Sequence, residues 1–195
     1  MAGLFAIGKP IVHILFERGM FDANDTRGTV MALQFYALGL WAFVGVRVAA
    51  SAFYSMQDTK TPVKVAALSI TANVLFSMIL MGPLKHGGLA LANSIGSAIN
   101  FTVLFIALTR KLDRIGTKGI IISLVKTLSA SIIMGIISYT ILHSPLWQNT
   151  HQLLYKSLLL LVTIGVCIAI YFFLLKLMKS EELTYMIRLI KRGVR

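Results

Sequence analysis

The chain is 195 residues long, 57% of them apolar and 13% charged, with a mean hydropathy of +0.81 and a formal net charge of +12. That balance excludes an ordinary soluble domain, in which charged residues make up about a quarter of the sequence. The positive charge does not call for nucleic acid, because lysine and arginine collect on the cytoplasmic loops of membrane proteins and against anionic headgroups.

The first apolar stretch, Ala2–Phe16, falls short of the about 20 residues needed to cross a hydrocarbon core of roughly 30 Å, and it carries Lys9 and Pro10. It reads as the end of a truncated helix. A signal peptide would place its positive charge ahead of the apolar core and a small-residue cleavage site behind it, whereas here Lys9 lies inside the segment and Phe16, Glu17 and Arg18 follow. The second stretch, residues 28–57, is interrupted only by Arg47. The third and fourth, 65–84 and 87–109, are separated by Lys85 and His86 and predict a tight hairpin. Thr61 before Pro62 predicts the N-cap and first position of the third helix. Gly82 and Pro83 predict its end, and Gly87 with Gly88 the start of the next helix. The fifth stretch, 127–155, must turn near Pro145, and the last, 157–175, is a further span. Beyond it, Ser180, Glu181 and Glu182 begin a basic tail that reads either as a short interfacial helix with Leu183, Met186, Ile187 and Ile190 on one face or as a frayed end. The fold class is therefore an all-α integral membrane protein, a polytopic bundle of five complete transmembrane helices plus one truncated helix.

Orientation follows from the basic residues, which translocation disfavours. Lys60, Lys64, Arg110, Lys111, Arg114, Lys118, Lys176, Lys179, Arg188, Lys191, Arg192 and Arg195 fall on one set of connections, against Arg18, Arg27, Lys85 and Lys156 on the other. The first set is expected in the cytoplasm, together with the C-terminus.

The seven carboxylates are Glu17, Asp22, Asp25, Asp58, Asp113, Glu181 and Glu182, and none lies inside an apolar run as half of a general acid and base pair. His13, His86, His143 and His151 lack metal-binding spacing, and the single cysteine, Cys167, sits deep in an apolar run as a packing residue. No glycine loop followed by lysine and serine or threonine is present to cradle a nucleotide. Enzyme chemistry and a cofactor are not expected; the energy source is expected to be an ion gradient such as sodium, the membrane potential, or a partner.

The acid-free interior contains one feature that points to a ligand. A guanidinium at depth is costly unless it meets negative charge, and at 100° per residue Tyr36, Arg47, Ser51 and Tyr54 share one face of the second helix. That face suits an anion in a water-filled pathway; the alternative is an Arg47 that snorkels to the headgroups. Two more polar stripes lie on the hairpin helices: Ser69, Asn73 and Ser77 on the third, and Asn93, Ser97 and Asn100 on the fourth. Their oxygens, with Asn73, Ser77 and Asn93 at the centre, could take a hard monovalent cation. The alternative is hydrogen bonding between helices, which Gly88, Ala92 and Gly96 at four-residue spacing also favour.

Three segments carry a family resemblance. Leu15-Phe16-Glu17-Arg18-Gly19-Met20-Phe21 resembles the LFxRGxF signature of the bacterial MurJ (MviN) lipid II flippases. The segment from Phe53-Tyr54-Ser55 through Asp58, Lys60, Thr61, Pro62 and Lys64 resembles their FYSxxDxKTPxK loop, and the segment from Gly82-Pro83 to Ala92 resembles a late hairpin. The likeness is close over residues 8–112 and thereafter rests on two apolar runs and a basic tail.

The resemblance implies the last six of fourteen helices in the multidrug/oligosaccharidyl-lipid/polysaccharide exporter superfamily. Residues 1–112 would belong to the C-terminal transporter lobe, 113–178 to two additional helices bordering a lipid groove, and 179–195 to a cytoplasmic tail. It implies alternating access in the bacterial inner (cytoplasmic) membrane, with lipid II, a pyrophosphate-linked disaccharide-peptide on a long lipid, as cargo. Arg47, Tyr36, Ser51 and Tyr54 would line the substrate pathway, and Asp58, Lys60 and Lys64 would form a cytoplasmic gate or a helix-orienting turn. The implied partners are lipid II, membrane lipids and the N-terminal helices that this chain lacks. Another exporter of the superfamily and a non-transporting membrane scaffold remain alternatives.

Overall fold

The computed structural model describes residues 1–17, 19–112, 117–142 and 153–178. Among them run six helices: α1 (Ala2–Phe16), α2 (Ala23–Ser55), α3 (Lys60–Leu84), α4 (His86–Lys111), α5 (Thr117–Leu142) and α6 (Leu153–Leu177). All but α1 are long and apolar enough to cross a membrane, so the chain is a multi-pass membrane protein. Arg18, Arg114, the predicted turn near Pro145 and the tail read as an interfacial helix lie outside the described residues.

Two units form. One contains α2, α3 and α4; the other contains Ala2–Ile14 of α1 with α5 and α6. In the second unit Ile7 and Ile14 of α1, Leu142 of α5 and Leu160 of α6 make a shared apolar cluster. Cys167 of α6 is buried with a free thiol, as a packing residue should be.

The first unit is held by small residues, because helices in lipid gain little from apolar burial and must instead approach closely. At Gly39 of α2 a Cβ would stand 2.5 Å from the Ser94 hydroxyl of α4, and at Gly45 it would stand 2.5 Å from the Phe101 ring. Ser94 donates to the carbonyl of Phe35, and Phe101 meets Trp41 edge-on with centroids 5.4 Å apart. Farther along, Ala49 and Phe53 of α2, Val65 of α3 and Leu104 of α4 close a three-helix core.

At its start, α2 has a capping box: Asp22 accepts from the N–H groups of Asn24 and Asp25, and the Asp25 carboxylate accepts from the Asp22 N–H. Glu17 accepts from the hydroxyl of Thr26 at 2.9 Å, joining the segment after α1 to this first turn.

Two boundaries differ from the sequence reading. Thr61 is not the cap of α3: the helix begins at Lys60, and the Asp58 carboxylate accepts from the Thr61 N–H at 3.0 Å and from its hydroxyl at 2.7 Å. A carboxylate beside the positive end of a helix is the better acceptor. Nor do Gly82 and Pro83 end α3. The helix continues to Leu84 and α4 begins at His86, leaving Lys85 as the whole connection at φ +48°. Pro83 forfeits the bond its own N–H would have made and its ring crowds the carbonyl of the preceding turn, and α3 ends one residue later. Gly88 has a different duty from opening a helix, since a Cβ there would lie 2.2 Å from the Leu80 carbonyl oxygen.

Candidate functional site

α2 is one unbroken helix of 33 residues, about 50 Å long at 1.5 Å per residue. Its regularity keeps Tyr36, Arg47, Ser51 and Tyr54 in register along one side, and all four are exposed while Ala37, Ala42, Ala49 and Phe53 turn inward. The Arg47 guanidinium lies over the Phe43 ring, 5.0 Å from its centroid. That contact holds a cation against an apolar wall without neutralising it. Ser51 spends its hydroxyl proton on the Val48 carbonyl, leaving oxygen lone pairs facing outward.

The end of α2 brings the predicted loop residues into contact with a fourth. After Met56 the chain turns through Gln57 at φ +57°; the Gln57 N–H donates to the Tyr54 carbonyl and the Asp58 N–H to the Phe53 carbonyl, the paired bonds of a Schellman turn. This delivers Asp58 to the start of α3, where it also forms an ion pair with Lys111 at the end of α4. Lys111 and then Thr61 hold the Asp58 carboxyl well below the usual carboxylate range by hydrogen bonding to its charged form. Lys60 and Lys64 are exposed on the first turns of α3. Sequence reasoning missed Lys111, which it counted only among the cytoplasmic cations.

The α3 and α4 stripes do come together. Ser69 donates to the Gly96 carbonyl at 2.7 Å, Ser77 to the Asn73 amide oxygen at 3.2 Å, and the Asn73 amide nitrogen approaches the Asn93 oxygen at 3.5 Å. Asn73, Ser77 and Asn93 thus form one hydrogen-bonded chain across the hairpin. The Asn100 amide oxygen is buried and has no hydrogen-bond donor among the described residues. No three His, Cys, Asp or Glu side chains among the described residues gather as a transition-metal site.

These features define a polytopic α-helical membrane protein in which a long helix carries an arginine-centred polar face and a polar seam joins its two neighbours. The sequence model described as lipid II flippase MurJ matches residues 1–160, and the chain belongs to that family. Similar relatives include the probable lipid II flippase MurJ of Rickettsia prowazekii (strain Madrid E), 34% identical over 186 residues that make up 93% of this chain and 37% of that protein. The protein of the same description from Rhizobium tropici is 29% identical over 97% of this chain and 36% of its own length. A third, from Buchnera aphidicola subsp. Schizaphis graminum (strain Sg), is 40% identical over 55% of this chain and 21% of its own length. The chain therefore spans little more than a third of the length of the Rickettsia and Rhizobium relatives.

Proposed function

We propose that this chain supplies helices of a lipid II flippase, in which the lobes rock so that a pyrophosphate-linked cell-wall precursor passes from the cytoplasmic to the outer leaflet of the bacterial inner membrane. The observation that carries the proposal is the exposed α2 face on which Tyr36, Arg47, Ser51 and Tyr54 align without a carboxylate. The planar fork and permanent charge of a guanidinium suit pyrophosphate oxygens, and the tyrosine hydroxyls add donors beside it. Arg47 stands eight residues before the last residue of α2, roughly 12 Å inside that end, within reach of an anion entering from the basic side. The bias of lysine and arginine supports a cytoplasmic location for the Asp58 turn, the end of α4 and the C-terminus. The remaining helices of such a transporter and the surrounding lipids are its partners. The oxygens of Asn73, Ser77 and Asn93 are proposed as a site for a monovalent coupling cation.

The test is movement of lipid-linked pyrophosphate between leaflets by the intact protein in vesicles. Loss of a charge-assisted contact of about 1.5–3 kcal/mol predicts that Arg47→Ala slows movement on the order of tenfold to a hundredfold. Arg47→Lys, which keeps the charge and loses the fork, should fall between. Wild-type rates for both variants would remove Arg47 from the pathway.

A further inference from the structure

Lys111 follows Asp58 by 53 residues and belongs to a different helix. Its ammonium nevertheless meets both the Asp58 carboxylate and the face of Phe53, 5.4 Å from the ring centroid. Asp58 is held from two other sides. Its N–H donates to the Phe53 carbonyl at 3.0 Å, and its two carboxylate oxygens accept from the N–H and hydroxyl of Thr61. One residue therefore joins the last turn of α2, the first turn of α3 and the last turn of α4. Phe53 beneath it is fully buried among Ala49, Val65 and Leu104, so the ring cannot shift without opening the packing of all three helices.

We infer that Asp58 and Lys111 are positioning residues that form a permanent clasp, keeping α2, α3 and α4 a single rigid body through conformational change and fixing the rotation of α2, and so the direction in which Arg47, Ser51 and Tyr54 face. The consequence for Arg47 rests on the flippase reading; the clasp rests on geometry alone.

A gate and a clasp make opposite demands on these contacts. A gate must break and remake them in every cycle, whereas a clasp must survive the cycle intact. All the partners belong to one unit. The Asp58 side chain is only 18% exposed. Opening the pair would also loosen the carboxylate that accepts from the first turn of α3, whose N–H groups lack partners within the helix. It would remove the ammonium from an aromatic face that attracts it. A gating role for Asp58 is thus replaced by a structural one within the moving lobe.

Two measurements test the clasp. In the intact protein carrying Cys167→Ala, Asp58→Cys and Lys111→Cys, a thiol-reactive linker about the length of a lysine side chain joins the two positions, and movement of lipid-linked pyrophosphate after joining is compared with that of the Cys167→Ala protein, which keeps Asp58 and Lys111. The clasp predicts an unchanged rate after joining; loss of movement would overturn it, because the contact would then have to open. Thermal unfolding is measured separately for Asp58→Asn, Lys111→Met and the double variant. Asparagine keeps an acceptor for Thr61 and methionine keeps an apolar chain over Phe53, so each removes chiefly the charge pair. The double variant should melt with the lower of the two singles, and additive lowering would overturn the clasp by showing that the groups act independently. If the Cys167→Ala protein, with Asp58 and Lys111 in place, moves no lipid-linked pyrophosphate while the melting is non-additive, the flippase reading fails and the clasp stands.

Discussion

Ser69 on α3 gives its hydroxyl proton to the carbonyl oxygen of Gly96 on α4 across 2.7 Å. A Cβ at Gly96 would lie 3.1 Å from the Asn73 Cβ and 3.3 Å from the Ser69 carbonyl oxygen, so the absence of a side chain permits the approach that the bond requires.

The glycines of this unit should accordingly differ in what alanine does to them. Gly88→Ala would place a Cβ 2.2 Å from a backbone oxygen and Gly39→Ala would place one 2.8 Å from the Ser94 Cα, atoms that cannot yield without moving a helix. Each should lose about 1–3 kcal/mol of stability or more. Gly96→Ala should lose less, and Gly82→Ala, which meets nothing within 4 Å, almost nothing. Thermal unfolding in detergent ranks them; equal melting of Gly88→Ala and Gly82→Ala would contradict the packing described.

The polar chain from Ser77 through Asn73 to Asn93 separates two roles experimentally. Asn73→Ala removes an acceptor and a donor at once, which as packing alone costs about 0.6 kcal/mol per bond in a membrane. The proposed cation site predicts in addition that transport by Asn73→Ala loses its dependence on sodium. Full dependence in that variant would leave the seam as packing.

For Asp58 the sign of the pH effect is fixed by the direction of its shift. Lys111 and Thr61 lower its pKa in the folded protein, so its contribution to stability is complete above the ordinary carboxylate pKa, roughly 4, and is lost as the pH falls through the folded value. Unfolding followed from pH 7 downward should show no Asp58-dependent change until below about pH 4. Asp58→Asn should flatten the acid limb. A difference between wild type and Asp58→Asn that varies between pH 5 and 8 would show that the carboxylate titrates there and is not held by Lys111.

Much of this architecture could be read from the sequence because the bilayer imposes its own length on apolar runs, and five runs of that length became five helices. The α2 stripe was readable for a related reason: over a helix without a break, 100° per residue places Tyr36 and Tyr54 on the side of Arg47. The tight hairpin was readable as well, to within one residue. Lys85 and His86 were expected between the two helices, and because backbone outside a helix near the apolar core lacks hydrogen-bond partners, the connection is Lys85 alone. The break after α2 was readable, but its left-handed cap at Gln57 was not, since glutamine is not the residue expected there. Lys111 was hidden because its partner is set by how α4 packs along α2 and α3, which no local pattern records. The capping box of α2 was legible as Asp22 and Asp25 three residues apart, and was overlooked.

The central claim is that the α2 face carrying Arg47 meets the pyrophosphate of the cargo. A photo-reactive side chain placed in turn at Tyr36, Ser51 and Tyr54, and at the exposed Met78 of α3 for comparison, would report which surface touches lipid-linked pyrophosphate in membranes. The account predicts covalent capture from the three α2 positions, competed by free pyrophosphate-bearing lipid and weakened by Arg47→Ala, with none from Met78. Capture from Met78 equal to that from α2, or capture from α2 that is indifferent to Arg47→Ala, would contradict it.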